Sequence, residues 1–265
     1  MYCLNILVCI KQVPETRDVE VDENTGVLKR EGVDSKMNPF DLYALEAGVQ
    51  LKERYGGKVT VISMGPPQAA AVLKEAYMMG ADAGILMSDR KFAGADTLAT
   101  AFTLAQGIGR SGSFDLILCG KQTTDGDTAQ VGPGIAEFLD LPHVSYVSSI
   151  LALDADYITV EKDLTDGIQV CRVHLPCLLT LMETANQPRL PSYRLRLATS
   201  GRPIEVVSYK DLPPVKTEYY GLDGSPTQVE RIFPPESHRD RIVYHGEPDE
   251  IANQLYVQLK EHRFI

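Results

Sequence analysis

Short apolar runs alternate with amphipathic segments over the first half of the chain. Apolar runs of this length predict buried strands, and apolar residues at helical spacing predict helices that cover one face of a sheet. The predicted strands are residues 5–11, 59–63, 83–87 and 116–119, and the predicted helices are residues 41–54, 68–79, 96–108 and 131–139. Strands separated by helices imply an α/β fold with a doubly wound, mainly parallel sheet. Asp41 is the expected N-cap of the first helix.

After Val144 the helical periodicity nearly disappears. Four strand-like runs follow at residues 144–153, 157–162, 168–173 and 178–181. Asp154, Ala155 and Asp156 separate the first two runs and are typical of a tight hairpin turn. We expect these strands to extend the same sheet by antiparallel pairing.

The last third of the chain is rich in proline and has little periodicity between residues 187 and 248. Such a segment does not build a core of its own, so we interpret it as an arm that wraps a partner. A final helix is predicted over residues 249–262, where Ile251, Leu255 and Leu259 share one face. The sequence thus divides into an α/β domain, residues 1–186, and a docking loop with a C-terminal arm, residues 187–265.

The most informative segment runs from Phe114 to Pro142. It reads as a strand, then a loop of small polar residues and glycine, then the start of a helix. Free backbone N–H groups at a helix N-terminus and the helix dipole favour an anion such as a phosphate, and glycine allows close approach of the backbone. The loop has no basic residue after Lys121, so N–H and hydroxyl groups would supply the phosphate contacts.

Two simpler interpretations of this loop remain open on its residues alone. Asp127 or Thr128 would serve equally well as the N-cap of the following helix. The carboxylates of Asp125 and Asp127 would suit acid–base or metal chemistry, although in such a loop they more often bind backbone N–H groups or ribose hydroxyls. The sequence has no G-x-G-x-x-G fingerprint after a strand, no P-loop and no G-x-S-x-G elbow. No nucleophile with its base emerges, so no catalytic residue is assigned.

Composition excludes several classes of function. The net charge of −10 argues against a nucleic-acid partner, because phosphate binding needs clustered basic residues. No run approaches the ~20 apolar residues that span a bilayer, and the apolar N-terminus resembles a first strand, not a signal peptide. The five cysteines form no C-x-x-C pair, so we expect no metal site and instead buried free thiols in a cytoplasmic protein.

The run GKQTTDGDTAQVGP closely resembles the signature of electron-transfer flavoprotein β subunits. The segments ILVCIKQVP, MNPFD, ISMGP and NQPRLPSYR match that family in order and spacing, so the resemblance covers nearly the whole chain and is weakest after about Gly201. It implies an αβ heterodimer in which the α subunit holds FAD and the β subunit binds a second nucleotide. The residues that the resemblance assigns to that nucleotide are Cys9, Asn38, Pro39, Phe40, Asp41, Met64, Gly120, Lys121, Gln122, Thr123, Thr124, Asp125, Gly126, Asp127, Thr128, Ala129, Gln130 and Val131.

The second nucleotide differs between two subgroups of this family. In electron shuttles it is AMP. In bifurcating members it is FAD, which takes hydride from NADH and sends one electron to a low-potential acceptor such as ferredoxin or flavodoxin and one towards an acyl-CoA or related dehydrogenase. The loop Asp125-Gly126-Asp127 resembles the bifurcating subgroup: Gly126 relieves crowding, and Val131 and Gly132 replace polar or bulkier groups where the isoalloxazine extends. We therefore expect FAD, with AMP as the alternative and NADH oxidation only in the αβ complex.

The resemblance also implies a docking loop for the partner dehydrogenase at Asn186, Gln187, Pro188 and Arg189, where the family often has N-E-P-R. Its apolar anchor is interpreted as Tyr193, which departs from the usual leucine and leaves the partner's identity open. Two other classes remain as alternatives: a universal-stress-type protein that binds adenine nucleotides without redox chemistry, and a structural subunit with an empty site.

Overall fold

The alternation of strands and helices predicted for the first half of the chain is confirmed. The computed structural model describes residues 3–15, 35–214, 217–229 and 242–265. Each element that was predicted in these ranges begins and ends within two residues of its expected bounds. The first ten elements are β1 (Leu4–Cys9), β2 (Gln12–Pro14), β3 (Ser35–Met37), α1 (Pro39–Tyr55), β4 (Gly57–Met64), α2 (Ala70–Met79), β5 (Ala83–Met87), α3 (Thr97–Arg110), β6 (Leu116–Gly120) and α4 (Val131–Phe138).

The remaining elements are mainly strands, followed by a terminal helix. They are β7 (His143–Leu153), β8 (Tyr157–Leu164), β9 (Gly167–His174), β10 (Cys177–Leu181), α5 (Tyr193–Ala198), β11 (Glu205–Val207) and α6 (Pro248–Glu261). The hairpin between β7 and β8 turns where it was predicted. The carboxylate of Asp154 accepts hydrogen bonds from the N–H groups of Asp156 and Tyr157, and this closes the turn.

One sheet of nine strands organises the molecule, in the order β11-β5-β4-β1-β6-β10-β7-β8-β9. The strands from β11 to β7 are parallel, and β8 and β9 extend the sheet by antiparallel pairing. The expectation of antiparallel pairing is therefore confirmed for β8 and β9 but wrong for β10. That strand inserts between β6 and β7, parallel to both.

Helices cover both faces of the sheet and enclose two apolar layers. α1 and α2 pack on one face through buried side chains such as Leu45 and Leu73. α3 and α4 pack on the other face through Leu104 and Ile135. This two-sided arrangement is what a parallel sheet requires, because both faces of its central strands must be buried.

Part of the proline-rich stretch joins this core. β11 pairs with β5 at the edge of the sheet, and Val207, Leu212 and Tyr220 are buried in the layer under α3 and α4. By its internal contacts the chain divides into the units Met1–Glu230 and Arg231–Ile265. In the second unit, α6 has no buried residue. That residues 187–265 pack on an α subunit stays a prediction.

The five cysteines are free thiols. Cys119 and Cys177 are buried, Cys9 and Cys171 are half-buried, and Cys3 is exposed, which corrects the expectation for Cys3. In the described ranges no helix is long and apolar enough to cross a membrane.

Candidate functional site

The site lies where β1 meets β4 on one side and β6 on the other. From β1 the chain winds outward through β4 and β5, and later through β6 and β10 in the opposite direction. The carboxyl ends of these parallel strands share one edge: Cys9 is level with Ile62 of β4 and with Cys119 of β6, and Gly120 is level with Leu181 of β10. Such a topological switch point is where doubly wound proteins bind ligands.

A loop leaves this edge at Gly120 and leads into α4. Its first peptide is held by β10, because the N–H of Lys121 donates to the carbonyl of Leu181 at 2.9 Å. Further along, the N–H of Asp127 donates to the carbonyl of Thr123 at 2.9 Å. Asp127 and Ala129 have φ angles of +53°, the left-handed region that is uncommon for residues other than glycine. Such conformations concentrate at ligand sites, where the surrounding contacts maintain them.

The N-terminus of α4 has no side-chain cap. Its N-cap residue is Gln130, whose side chain makes no capping hydrogen bond. The capping interpretation of Asp127 and Thr128 is therefore wrong: the carboxylate of Asp127 instead accepts from Gln122 Nε2 at 2.6 Å. An uncapped helix start leaves N–H groups free to bind an anion.

Asn38 fixes the inner part of the loop. It is fully buried. Its Nδ2 donates to the carbonyl of Gln122 at 2.8 Å, and its Oδ1 accepts from the N–H of Thr124 at 3.2 Å. Its own N–H donates to the carbonyl of Lys11 at 2.8 Å. Through its backbone N–H and its side-chain amide, Asn38 thus joins the segment after β1 to the loop. Pro39 begins α1 directly after it.

Asp41 lies beneath the loop and inside the first turn of α1, so the N-cap prediction is corrected: the N-cap residue is Asn38. Its Oδ2 accepts from the N–H of Lys11 at 2.7 Å. Burial raises the pKa of Asp41 to about 7, although hydrogen bonds from Asn38, Lys11 and Gly120 act in the opposite direction. A Cβ at Gly120 would overlap the carboxylate of Asp41, and this explains the glycine at the end of β6.

Lys11 is a site residue that sequence reasoning missed. Its Nζ donates to both carboxylate oxygens of Asp125, at 2.8 and 2.7 Å. Burial raises the pKa of Asp125, but the hydrogen bond and charge of Lys11 outweigh that effect and hold it below its usual value. The loop therefore has a basic partner from the segment that follows β1, in addition to its own Lys121. Only its place after a strand could have signalled this, since Lys11 and Asp125 are 114 positions apart.

Aromatic rings surround the second cation of the site. The Nζ of Lys121 lies 5.9 Å from the centre of the Phe40 ring and 5.8 Å from that of Tyr146. Tyr146 has a φ of +62° at an irregularity in the pairing of β7 with β10, and its N–H donates to Thr180 Oγ1 at 3.1 Å. Tyr146 was not predicted as a site residue.

The other predicted residues lie at the same edge with fewer contacts. Cys9 is half-buried beside Cys119, and the hydrogen bond between the two thiols and burial raise the pKa of Cys119. Met64 ends β4, next to β1. Thr128 and Gln130 are exposed, and Val131 is half-buried at the start of α4.

The two glycines singled out by the resemblance have different surroundings. A Cβ on Gly126 would meet only Thr123 Oγ1, at an ordinary 3.5 Å, so the fold itself does not require glycine there. A Cβ on Gly132 would come within 2.7 Å of Thr180 Cγ2, so close packing of α4 on β10 already accounts for that glycine.

The predicted docking residues lie apart from the loop, against α1. Asn186 Nδ2 donates to the carbonyl of Tyr43 at 2.9 Å. Arg189 donates to the buried carboxylate of Glu46 and to Glu53 at 2.6 to 3.0 Å, so it anchors the segment to this chain. Gln187 is exposed and Pro188 half-buried. Tyr193 is 71% exposed and the unpredicted Leu190 is 87% exposed, as an apolar anchor for a partner must be.

The fold and this edge define the class: a doubly wound α/β protein with a loop and an uncapped helix start at its switch point. The profile of the Electron transfer flavoprotein domain matches residues 25–212. The chain belongs to the electron transfer flavoprotein family, as a β subunit. That family associates with flavin or other nucleotides, and a β subunit has an α subunit as its partner.

Full-length relatives agree with this assignment. The chain is 44% identical over 263 residues to an electron transfer flavoprotein subunit beta of Thermoanaerobacterium thermosaccharolyticum, covering 99% of this chain and 100% of the relative. It is 45% identical over 264 residues to the caffeyl-CoA reductase-Etf complex subunit CarD of Acetobacterium woodii, with the same coverage. Protein FixA of Sinorhizobium fredii is 41% identical over 274 residues, covering 98% and 95%.

Proposed function

We propose that this chain is the β subunit of a bifurcating electron transfer flavoprotein. It binds FAD, receives hydride from NADH and divides the electrons between a low-potential acceptor, ferredoxin or flavodoxin, and the FAD of the α subunit, which serves an acyl-CoA or related dehydrogenase. The observation that carries the proposal is the uncapped start of α4, set beside a loop that Asn38 and Lys11 hold in place.

The residues present fit a dinucleotide. N–H groups at the start of α4 would receive the phosphates, and the hydroxyls and carboxylates of the loop would receive the ribose. Asn38 and Asp41 act from below, by fixing the peptide groups that line the site. The flavin supplies the redox chemistry, while the protein positions it and sets its electrostatic surroundings.

The resemblance of the loop Asp125-Gly126-Asp127 to the bifurcating subgroup supports FAD over AMP, and the space around Gly126 is compatible with it. The neighbourhood of Gly126 within this chain is open, so a side chain there would be tolerated unless a ligand passes close to the backbone. Gly132 does not bear on the choice, because packing against Thr180 explains it. The name of the Acetobacterium woodii relative also points to a CoA-thioester reductase as the kind of enzyme served.

The test is the nucleotide content of the purified αβ complex and its response to NADH under anaerobic conditions. We expect a second FAD besides that of the α subunit, and direct reduction by NADH. AMP in place of the second FAD would make the protein a simple electron shuttle. Loss of all nucleotide from the β subunit would favour a structural role.

Gly126→Val then locates the second FAD. Because the fold tolerates a side chain at this position, we expect the variant to fold normally and to lose that FAD. Gly109→Val is the matched control, since Gly109 also faces open space but lies on α3, away from the loop. Unchanged flavin content in Gly126→Val would contradict this placement of the flavin.

A further inference from the structure

Lys11 joins three parts of the site through three different groups. Its N–H donates to Asp41 at 2.7 Å, its carbonyl accepts from the N–H of Asn38 at 2.8 Å, and its ammonium binds both oxygens of Asp125. The connection between β1 and β2, the start of α1 and the exposed part of the loop are thereby joined through a single residue.

The contact of Lys11 with Asp125 holds a part of the loop that the buried Asn38 does not contact. Asn38 bonds to Gln122 and Thr124, on the inner side. Residues 125–128 are exposed, and Asp127 adopts a left-handed conformation immediately after Gly126. Lys11 holds this outer stretch from the connection between β1 and β2, and the Lys11 and Asp125 side chains are 43% and 32% exposed.

We propose that Lys11 is a positioning residue of the nucleotide site and acts through Asp125. The ion pair sets the conformation in which the loop presents its N–H groups to the ligand. Because the ammonium is paired with Asp125, Lys11 orders the loop and does not itself bind phosphate. This inference rests on the proposed function only in that the site takes an adenine nucleotide.

Titration calorimetry of the nucleotide-stripped αβ complex with AMP and with adenosine tests the positioning role of Lys11. We expect Lys11→Met, which keeps the length of the side chain, to lower the affinity for both probes by the same factor of about three- to fivefold. This is the range of a partly exposed ion pair. Asp125→Asn should have a similar effect. The double variant should bind no more weakly than either single variant, because all three remove the same interaction.

Two further variants separate the ion pair from a packing role of the lysine stem. Lys11→Arg keeps the charge and should retain most of the affinity for both probes. Lys58→Met is the matched control, since Lys58 is exposed at the start of β4, at the opposite edge of the sheet from the site. This variant should bind both probes like the wild type.

The inference is overturned if Lys11→Met binds AMP more weakly but adenosine as well as the wild type, because Lys11 would then be a phosphate ligand. Additive losses in the double variant, or full affinity in Lys11→Met, overturn it as well. These outcomes leave the proposed function intact. A wild-type complex that binds neither probe overturns the proposed function and this inference together.

Discussion

Asp41 illustrates how a buried position changes the chemistry of one side chain. It is 5% exposed at the start of α1, where its neighbours are the N–H groups of Lys11 and Gly120 and the side chain of Asn38. These donors stabilise the carboxylate, yet burial outweighs them and raises its pKa to about 7. The carboxyl group below the loop therefore changes its charge within the physiological range.

The stability of the chain should consequently depend on the ionisation of Asp41. An unfolded aspartic acid loses its proton near pH 4, about three units before the folded one. Between these values the folded state holds a proton that the unfolded state has lost, so rising pH destabilises the fold. We expect this group to lower the free energy of unfolding by about 1.4 kcal/mol per pH unit between roughly pH 4.5 and 6.5.

Denaturant titrations of the wild type and Asp41→Asn across pH 4.5 to 8 would measure this effect. The difference between the two proteins should change with pH up to about 7 and become constant above it. A difference that stays constant over the whole range would show that Asp41 is ionised throughout.

At the scale of elements, the packing of α4 on β10 decides how the loop enters its helix. Gly132 lies in the first turn of α4, and its Cα faces the methyl group of Thr180. The hydroxyl of the same threonine accepts the N–H of Tyr146. Two elements that border the site are thus fitted to each other through one side chain.

Gly132→Ala should destabilise the protein by about 1–2 kcal/mol, because the added methyl group overlaps Thr180 in a closely packed layer. Thr180→Ser removes that methyl and keeps the hydroxyl, so Gly132→Ala combined with Thr180→Ser should recover most of the loss. Free energies of unfolding of the single and double variants check this. If Gly132→Ala kept full stability but lost flavin, the ligand and not the packing would require the glycine.

The elements were predictable from sequence where the pattern is sustained, as in the helices α1 and α3 and in the apolar runs of β1, β4, β5 and β6. β10 was predicted as a strand but with the wrong pairing, because a short apolar run identifies a strand without identifying its neighbours. β11 was missed, since a run of three residues carries no period. The loop and Asn38 followed from the family resemblance. Lys11 did not, because its partner Asp125 depends on how β1 and β6 are brought together.

At the scale of the whole molecule, the two units differ in how they are buried. The described residues of the first unit contain the sheet and its two apolar layers, whereas α6 exposes Leu255, Tyr256 and Val257 by about half. An exposed apolar helix in a subunit of a heterodimer suits contact with the partner subunit.

A chain that ends at Glu230 should therefore keep its cooperative unfolding and its unfolding midpoint, but bind the α subunit more weakly than the full chain. Denaturation and titration with the α subunit measure the two properties separately. Loss of cooperative unfolding would show that the second unit stabilises the first. Unchanged affinity for the α subunit would show that α6 does not contribute to the heterodimer.

The insertion of β10 between β6 and β7 also imposes an order on folding. β6 can pair with β1 early, but its other edge stays open until the chain has passed through α4, β7, β8 and β9. The bond from Lys121 to Leu181, which anchors the loop, forms only then. Such distant pairings form slowly, and an unpaired edge strand is prone to aggregate. A nascent chain that stops before Cys177 would contain the whole loop between β6 and α4 and still lack the strand that holds it.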